Sequence, residues 1–295
     1  MDFGRLITAM ITPFDGDLKI DWEQTGRLID YLIETQRTTG LVIAGTTGES
    51  PTLTDEEKLE LFAFAVRRAN GRAKIIAGTG SNDTSHSIHL SQEAEKLGVD
   101  GIMLVSPYYS RTSQEGLLAH FRAVAASVTL PIMIYNIPSR TGVNIEAKTM
   151  LALAQTPNVV AVKESSGDLD QMSAILAGAP EGFKLYSGDD SLTLPVLSIG
   201  GYGIVSVTSH LVGRQMSEMI DAYVSGQTER AAKLHVQLTP MFKGMFFCPH
   251  RVPNPVPVKY AMKSKGIDCG GVRLPLVGVT PEEAAFLDAL TASFE

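Results

Sequence analysis

Short runs of apolar, largely β-branched residues alternate along the chain with longer stretches whose apolar positions recur at helical spacing. The runs are LITAMITPF (6–14), GLVIAGTTGES (40–50), AKIIAGTGS (73–81), DGIMLVSPYY (100–109), LPIMIYNIPSRTG (130–142), NVVAVKESSGD (158–168), FKLYSGDD (183–190) and YGIVSVTSH (202–210). Each is almost continuously apolar before it ends in Gly, Ser, Thr or Pro, which predicts strands covered on both faces, as in a parallel sheet. The intervening stretches, such as DWEQTGRLIDYLIETQ, TDEEKLELFAFAVRRANG and SHSIHLSQEAEKLG, open on Asp, Ser or Thr or close on Gly and read as crossover helices. About eight strand-then-helix units follow one another, the number that closes a (β/α)8 TIM barrel of the α/β class. Pattern alone also admits a doubly wound open sheet.

The character changes after Gly226. TERAAKLHVQLTPMFKGMFF, PVPVKYAMKSKG and TPEEAAFLDALTASF have helical spacing and are separated by HRVPNPVP and DCGGVRLPLVG. The chain is therefore expected to divide into a barrel catalytic domain, residues 1–225, and a small all-helical C-terminal domain, residues 226–295. With no low-complexity tract or long linker between them, the second should pack on the first.

In a parallel barrel the reactive groups stand at the C-terminal ends of the strands, so the residues that close each run are the candidates. The sixth run places Lys163 directly after Ala161 and Val162, where an ammonium group is costly unless paired or neutralised. A neutral amine there is a nucleophile for a ketone carbonyl, and the product is an imine. The alternative is a structural ion pair with Glu164 or another carboxylate. The fifth run ends with Tyr135, on the strand beside that of Lys163, where a phenol can shuttle protons or simply be satisfied by a backbone carbonyl. Arg140 follows on the next loop, placed to grip a carboxylate. GTTGES offers Thr46 and Thr47 hydroxyls on a loop of small residues. The paired Tyr108 and Tyr109 fit an exposed tip, a subunit contact or a proton relay equally well.

Composition narrows the partners. Of 295 residues 44% are hydrophobic and 19% charged, with a formal net charge of −7, so the chain can bury a large core but lacks the clustered basic residues that nucleic acid or an anionic membrane requires. The N-terminal apolar segment is too short and too interrupted to span a membrane and has no basic region ahead of it, so a cytoplasmic protein is expected. The two cysteines, Cys248 and Cys269, are expected as reduced, partly buried thiols. Metal chemistry has little support: the six histidines are scattered, and the closest pair, His86 and His89, reads as surface residues. GTTGES and GTGSN match neither a P-loop nor a dinucleotide fingerprint, so no cofactor is required.

Taken in order, GTTGES, SPYYSRTSQEG, YNIPSRTG, VKESSGD, YSGDD and NPVPVKYA closely resemble the 4-hydroxy-tetrahydrodipicolinate synthases, also called dihydrodipicolinate synthases, of the class I pyruvate aldolase-like barrels, over essentially the whole chain. The resemblance implies Schiff-base condensation of pyruvate with L-aspartate 4-semialdehyde in diaminopimelate and lysine biosynthesis. It makes Lys163 the imine-forming lysine and assigns a proton relay to Thr47, Tyr135 and a Tyr109 inserted from a neighbouring subunit, which implies a homotetramer built as a dimer of dimers. Thr46 and Thr47 would hold the pyruvate carboxylate, Arg140 the carboxylate of the aldehyde, and Gly188 and Val205 match backbone positions near the lysine. Ser50, Asn82, His86 and Tyr108 fall at positions where L-lysine binds inhibited members. Asp55, Lys58 and His86 change the charges that would meet the lysine ammonium groups, so weak or absent inhibition is expected. Sister enzymes such as N-acetylneuraminate lyase or the 2-keto-3-deoxy-sugar-acid aldolases would share Lys163 and Tyr135. A non-catalytic barrel protein would have lost the lysine or the relay.

Overall fold

The computed structural model describes residues 2–294. Eight strands close into a parallel barrel in sequence order: β1 (Leu6–Ala9), β2 (Gly40–Ile43), β3 (Lys74–Gly78), β4 (Gly101–Val105), β5 (Ile132–Asn136), β6 (Val159–Glu164), β7 (Lys184–Ser187) and β8 (Gly203–Ser206). β8 pairs back onto β1, with Leu6 opposite Ile204, so no edge remains and the open-sheet alternative is excluded. Each strand falls inside one of the apolar runs read from the sequence.

Twelve α-helices accompany them: α1 (Trp22–Glu34), α2 (Asp55–Ala69), α3 (Thr84–Lys96), α4 (Gln114–Ser127), α5 (Pro138–Thr141), α6 (Ala147–Leu153), α7 (Leu169–Gly178), α8 (Thr193–Ser198), α9 (Ser209–Val224), α10 (Thr228–Gly244), α11 (Val256–Ala261) and α12 (Pro281–Ala292). Two of the polar residues expected to open helices do so: Asp21 accepts from the Gln24 amide, and Thr54 and Glu57 form a capping box on α2; α3 begins ahead of the expected Ser85 because Asp83 caps it through the His86 amide. The single turn α5 sits where an irregular loop was expected; Pro138 at its start presets the helical φ and Gly142 ends it at φ +76°.

Alternation along the strands divides the core in two. One set of residues, including Leu41, Ile75, Leu104, Ile134, Val162 and Leu185, packs outward against the helices. The other, including Ile7, Val42, Ile76, Met103, Met133, Tyr135, Ala161, Tyr186 and Val205, fills the barrel itself. The barrel is thus packed through its lower part and can open only at its upper face.

The C-terminal stretch returns to that face. α10 packs along α9, and the chain from Cys248 to Val279 then crosses toward the loops after β1 and β2. There Lys259 donates to Glu49 Oε1 at 2.8 Å and to the Gly271 carbonyl at 2.6 Å, and the Arg273 amide donates to Glu49 Oε2 at 2.9 Å. Arg273 also pairs with Glu57 and binds the Leu18 and Thr52 carbonyls. Cys248 and Cys269 are free and fully buried, deeper than the partial burial expected, and burial pushes their thiols up to about 11 and about 12.

Candidate active site

Register brings the two principal residues together. Tyr135 on β5 lies opposite Lys163 on β6, and both point into the barrel because they share the inward parity of Met133 and Ala161. Lys163 Nζ rests 4.1 Å from the centroid of the Tyr135 ring. The next pair in the same register, Asn136 and Glu164, faces the opposite way. The Asn136 amide donates to both carboxylate oxygens of Glu164, at 3.1 and 3.0 Å, while the Ser166 amide and Gln171 Nε2 complete its shell. The structural ion pair between Lys163 and Glu164 is therefore not formed: the strand pleat sends the carboxylate to the helical layer.

Only 5% of Lys163 is exposed. Its burial draws the ammonium pKa down to about 7; the Asp190 carboxylate opposes that fall and the Arg140 guanidinium adds to it. Burial raises the Tyr135 phenol to about 12, against the opposing influence of Arg140, Ser165 and Thr46. The site thus holds an amine that is largely neutral slightly above pH 7 beside a phenol that keeps its proton.

Neighbouring strand ends shape the space around Nζ. Gly188 follows β7, and a Cβ there would lie 1.9 Å from Ser165 Oγ and 3.0 Å from Lys163 Cε, so only glycine leaves the lysine its room. Val205 on β8 closes the inner wall. Asp190 is fully enclosed: its Oδ2 accepts the Val207 and Thr208 amides at 3.3 and 3.0 Å, while Oδ1 has no hydrogen-bond partner among the described residues.

Beside Tyr135 lies a cavity of about 490 Å³, whose wall does not include Lys163 itself. Thr46, Tyr135 and Arg140 border it on the catalytic side, and the same space continues past Ser50, Asn82, His86 and Tyr108. Thr46, Tyr135 and Arg140 therefore share one cavity with the four regulatory candidates. Arg140 stands on α5 rather than on an irregular loop, and its guanidinium forms no ion pair among the described residues. In the recess, Asp55 holds His86 Nε2 at 2.8 Å and Lys58 Nζ at 3.6 Å. His86 thus has a carboxylate partner from another helix, which its own helical segment did not disclose.

Two candidates stand apart. Tyr109, at φ +79°, is 91% exposed and does not enter the cavity of its own chain. Thr47 is buried and turned toward the C-terminal segment, where its Oγ1 accepts from Asn254 Nδ2 at 2.9 Å. Asp190 and Ser165, within YSGDD and VKESSGD, are polar residues beside Lys163 to which the sequence reading gave no role, and Asn254, within NPVPVKYA, is one beside Thr47. Among the described residues no group of three or more His, Cys, Asp or Glu side chains could hold a metal ion. Among the described residues no helix is long and apolar enough to cross a membrane.

The model of the dihydrodipicolinate synthetase family matches residues 2–293 of the chain. A 4-hydroxy-tetrahydrodipicolinate synthase of Moorella thermoacetica is 56% identical over 96% of this chain and 95% of its own length. One from Bacillus subtilis is 52% identical over 98% of each. Among solved structures, a dihydrodipicolinate synthase of Bacillus anthracis superposes with a TM-score of 0.96 at 46% identity, covering 99% of both chains.

Proposed function

The chain belongs to the dihydrodipicolinate synthetase family, and from that premise we propose a course for the reaction in which the enzyme, a lyase of lysine and diaminopimelate biosynthesis, condenses pyruvate with L-aspartate 4-semialdehyde. The observation that carries this reading is the inward-facing pair of Lys163 and Tyr135, with the lysine drawn down to about 7 and Tyr135 bordering a cavity that Arg140 also lines.

The neutral Lys163 amine attacks C2 of pyruvate, and the carbinolamine loses water to give a protonated imine. Its nitrogen draws electrons from the methyl carbon, which loses a proton; the resulting enamine attacks the semialdehyde carbonyl. The amino group of the second substrate then displaces Lys163 by transimination, releasing cyclic 4-hydroxy-tetrahydrodipicolinate and the free amine. These steps need protons delivered and removed out of bulk water, a task that suits hydroxyl groups within about 3 Å of one another. We assign it to Tyr135, to a threonine of the GTTGES loop, where the Thr46 hydroxyl bears on Tyr135 while the expected Thr47 is turned toward Asn254, and to Tyr109, the last reaching the site of a neighbouring subunit. Thr46 and Thr47 hold the pyruvate carboxylate, Arg140 the carboxylate of the semialdehyde, and Gly188 and Val205 bound the lysine. The working enzyme is a cytoplasmic homotetramer, a dimer of dimers, with a catalytic barrel of residues 1–225 and a helical appendage of residues 226–295. L-lysine inhibits weakly or not at all through Ser50, Asn82, His86 and Tyr108, because Asp55 is already engaged by Lys58 and His86; half-inhibition by submillimolar lysine would contradict this.

A turnover assay tests the assignment. Pyruvate with L-aspartate 4-semialdehyde should give product, and 2-keto-3-deoxy sugar acids or N-acetylneuraminate should not be cleaved; the reverse pattern would make the enzyme a sugar-acid aldolase.

A further inference from the structure

Resting on that reading, we propose that Ser165 is a positioning residue for the proton transfers of Tyr135: its hydroxyl, unpaired while the phenol holds its proton, donates to the phenol oxygen as that proton leaves for the reacting atoms. Ser165 stands two residues beyond Lys163 and prolongs β6, its amide donating to the Asn136 carbonyl of β5 at 2.8 Å. The two-residue period gives it the inward parity of Ala161 and Lys163, whereas Glu164 between them faces the helices. On the other flank the Gly188 amide donates to the Glu164 carbonyl at 2.8 Å. Backbone bonds to both neighbouring chains thus fix where the serine stands, one step above the Lys163–Tyr135 pair.

Ser165 Oγ is buried and has no hydrogen-bond partner among the described residues, a costly state for a polar group in the interior. It fills the space that a side chain at position 188 would need: a Cβ on Gly188 would stand 1.9 Å from Ser165 Oγ and 3.0 and 3.1 Å from Cε and Cγ of Lys163. The orphan hydroxyl therefore lies beside the stem of the lysine whose Nζ rests 4.1 Å from the Tyr135 ring centroid. Burial raises the Tyr135 pKa, and after Arg140 the Ser165 hydroxyl is the next group to oppose that rise. A hydroxyl has this effect by donating to the phenolate, which, unlike the phenol, has no proton of its own to offer. As Tyr135 passes its proton on, negative charge builds on the phenol oxygen in a buried place. A donor already beside it stabilises that charge without drawing in water.

The test measures how fast pyruvate is captured. Enzyme mixed with saturating pyruvate is quenched with borohydride at successive times, and the adduct on Lys163 is counted by intact mass. Ser165→Ala should slow capture by about tenfold, the effect of losing one hydrogen bond to a charged atom, while the pyruvate concentration for half-maximal capture changes less than about threefold. In a Tyr135→Phe background the same change should alter the rate less than about twofold, because the serine acts only through the phenol. The solvent deuterium isotope effect on capture should also rise in Ser165→Ala, since the proton transfer has become slower; this measurement decides alone if Tyr135→Phe does not fold. Equal losses with and without the Tyr135 hydroxyl would overturn the proposal, as would an unchanged isotope effect or a loss confined to the half-maximal concentration. The unsubstituted enzyme keeps the two readings apart: if it captures pyruvate and Ser165→Ala does so at the same rate, only the role of Ser165 falls, whereas no capture at all removes the reaction and this role with it.

Discussion

An ammonium group at position 163 would have to give up its hydration inside a barrel lined with Ala161, Met133 and Val205, and Asp190 offers only partial compensation. The consequence is a working pH range. Below about 7 Lys163 is an ammonium ion and cannot attack a ketone; above it the free amine dominates. The value of kcat/KM for pyruvate should therefore rise about tenfold per pH unit up to about 7 and level off above it. A profile still climbing through pH 9 would show that the lysine titrates like an exposed one. Lys163, Tyr135 and Arg140 were legible in the sequence because each closes or follows an apolar run, and the barrel turns run ends into a site. Their pairing was less legible. The choice between an ion pair of Lys163 with Glu164 and a free amine depends on which strand face each occupies, and register, not residue type, sent Glu164 to Asn136 and Gln171. Asn254 was out of reach for a different reason: it meets Thr47 through a contact that joins distant parts of the chain.

At the scale of elements, the eight strands announced themselves through continuous apolarity, and the longer helices through period and caps. The turn carrying Arg140 did not, because four residues are too few to show a period. The loop after β2 is held by a buried ion pair that the sequence did not suggest either. Lys259 and Glu49 are 2% and 1% exposed at their side chains and lie 2.8 Å apart, with Lys259 Nζ also 4.1 Å from the Phe14 ring centroid. Burial lowers the Lys259 pKa, and the Glu49 carboxylate opposes that fall. Glu49 itself has φ +58°, and the ion pair offsets that backbone conformation. Lys259→Met would leave Glu49 charged and unpaired in the interior, and should cost about 3–5 kcal/mol of stability. Chemical denaturation measures this directly; a loss below about 1 kcal/mol would mean that water or a rearranged Arg273 replaces the lysine.

At the scale of the molecule, two parts that look separate in sequence meet at the mouth of the barrel. The C-terminal stretch contributes Asn254 and Lys259 to the GTTGES loop and Arg273 to α2, so it holds the loop after β2 in place instead of merely covering the barrel. Tyr109 raises the same question between chains. A tyrosine 91% exposed on a left-handed backbone costs free energy to hold in solvent, and partnership with another subunit would explain its place. Tyr109→Phe should lower turnover by about tenfold or more while the assembly remains intact by sedimentation; near-full turnover would remove it from the relay.

The covalent step is the centre of the account, and borohydride reduction in the presence of pyruvate tests it most directly. Intact-mass spectrometry should show one reduced pyruvate adduct per chain, peptide mapping should place it on Lys163, and Lys163→Ala should fold normally yet gain no mass. An unmodified chain, or an adduct elsewhere, would contradict the mechanism.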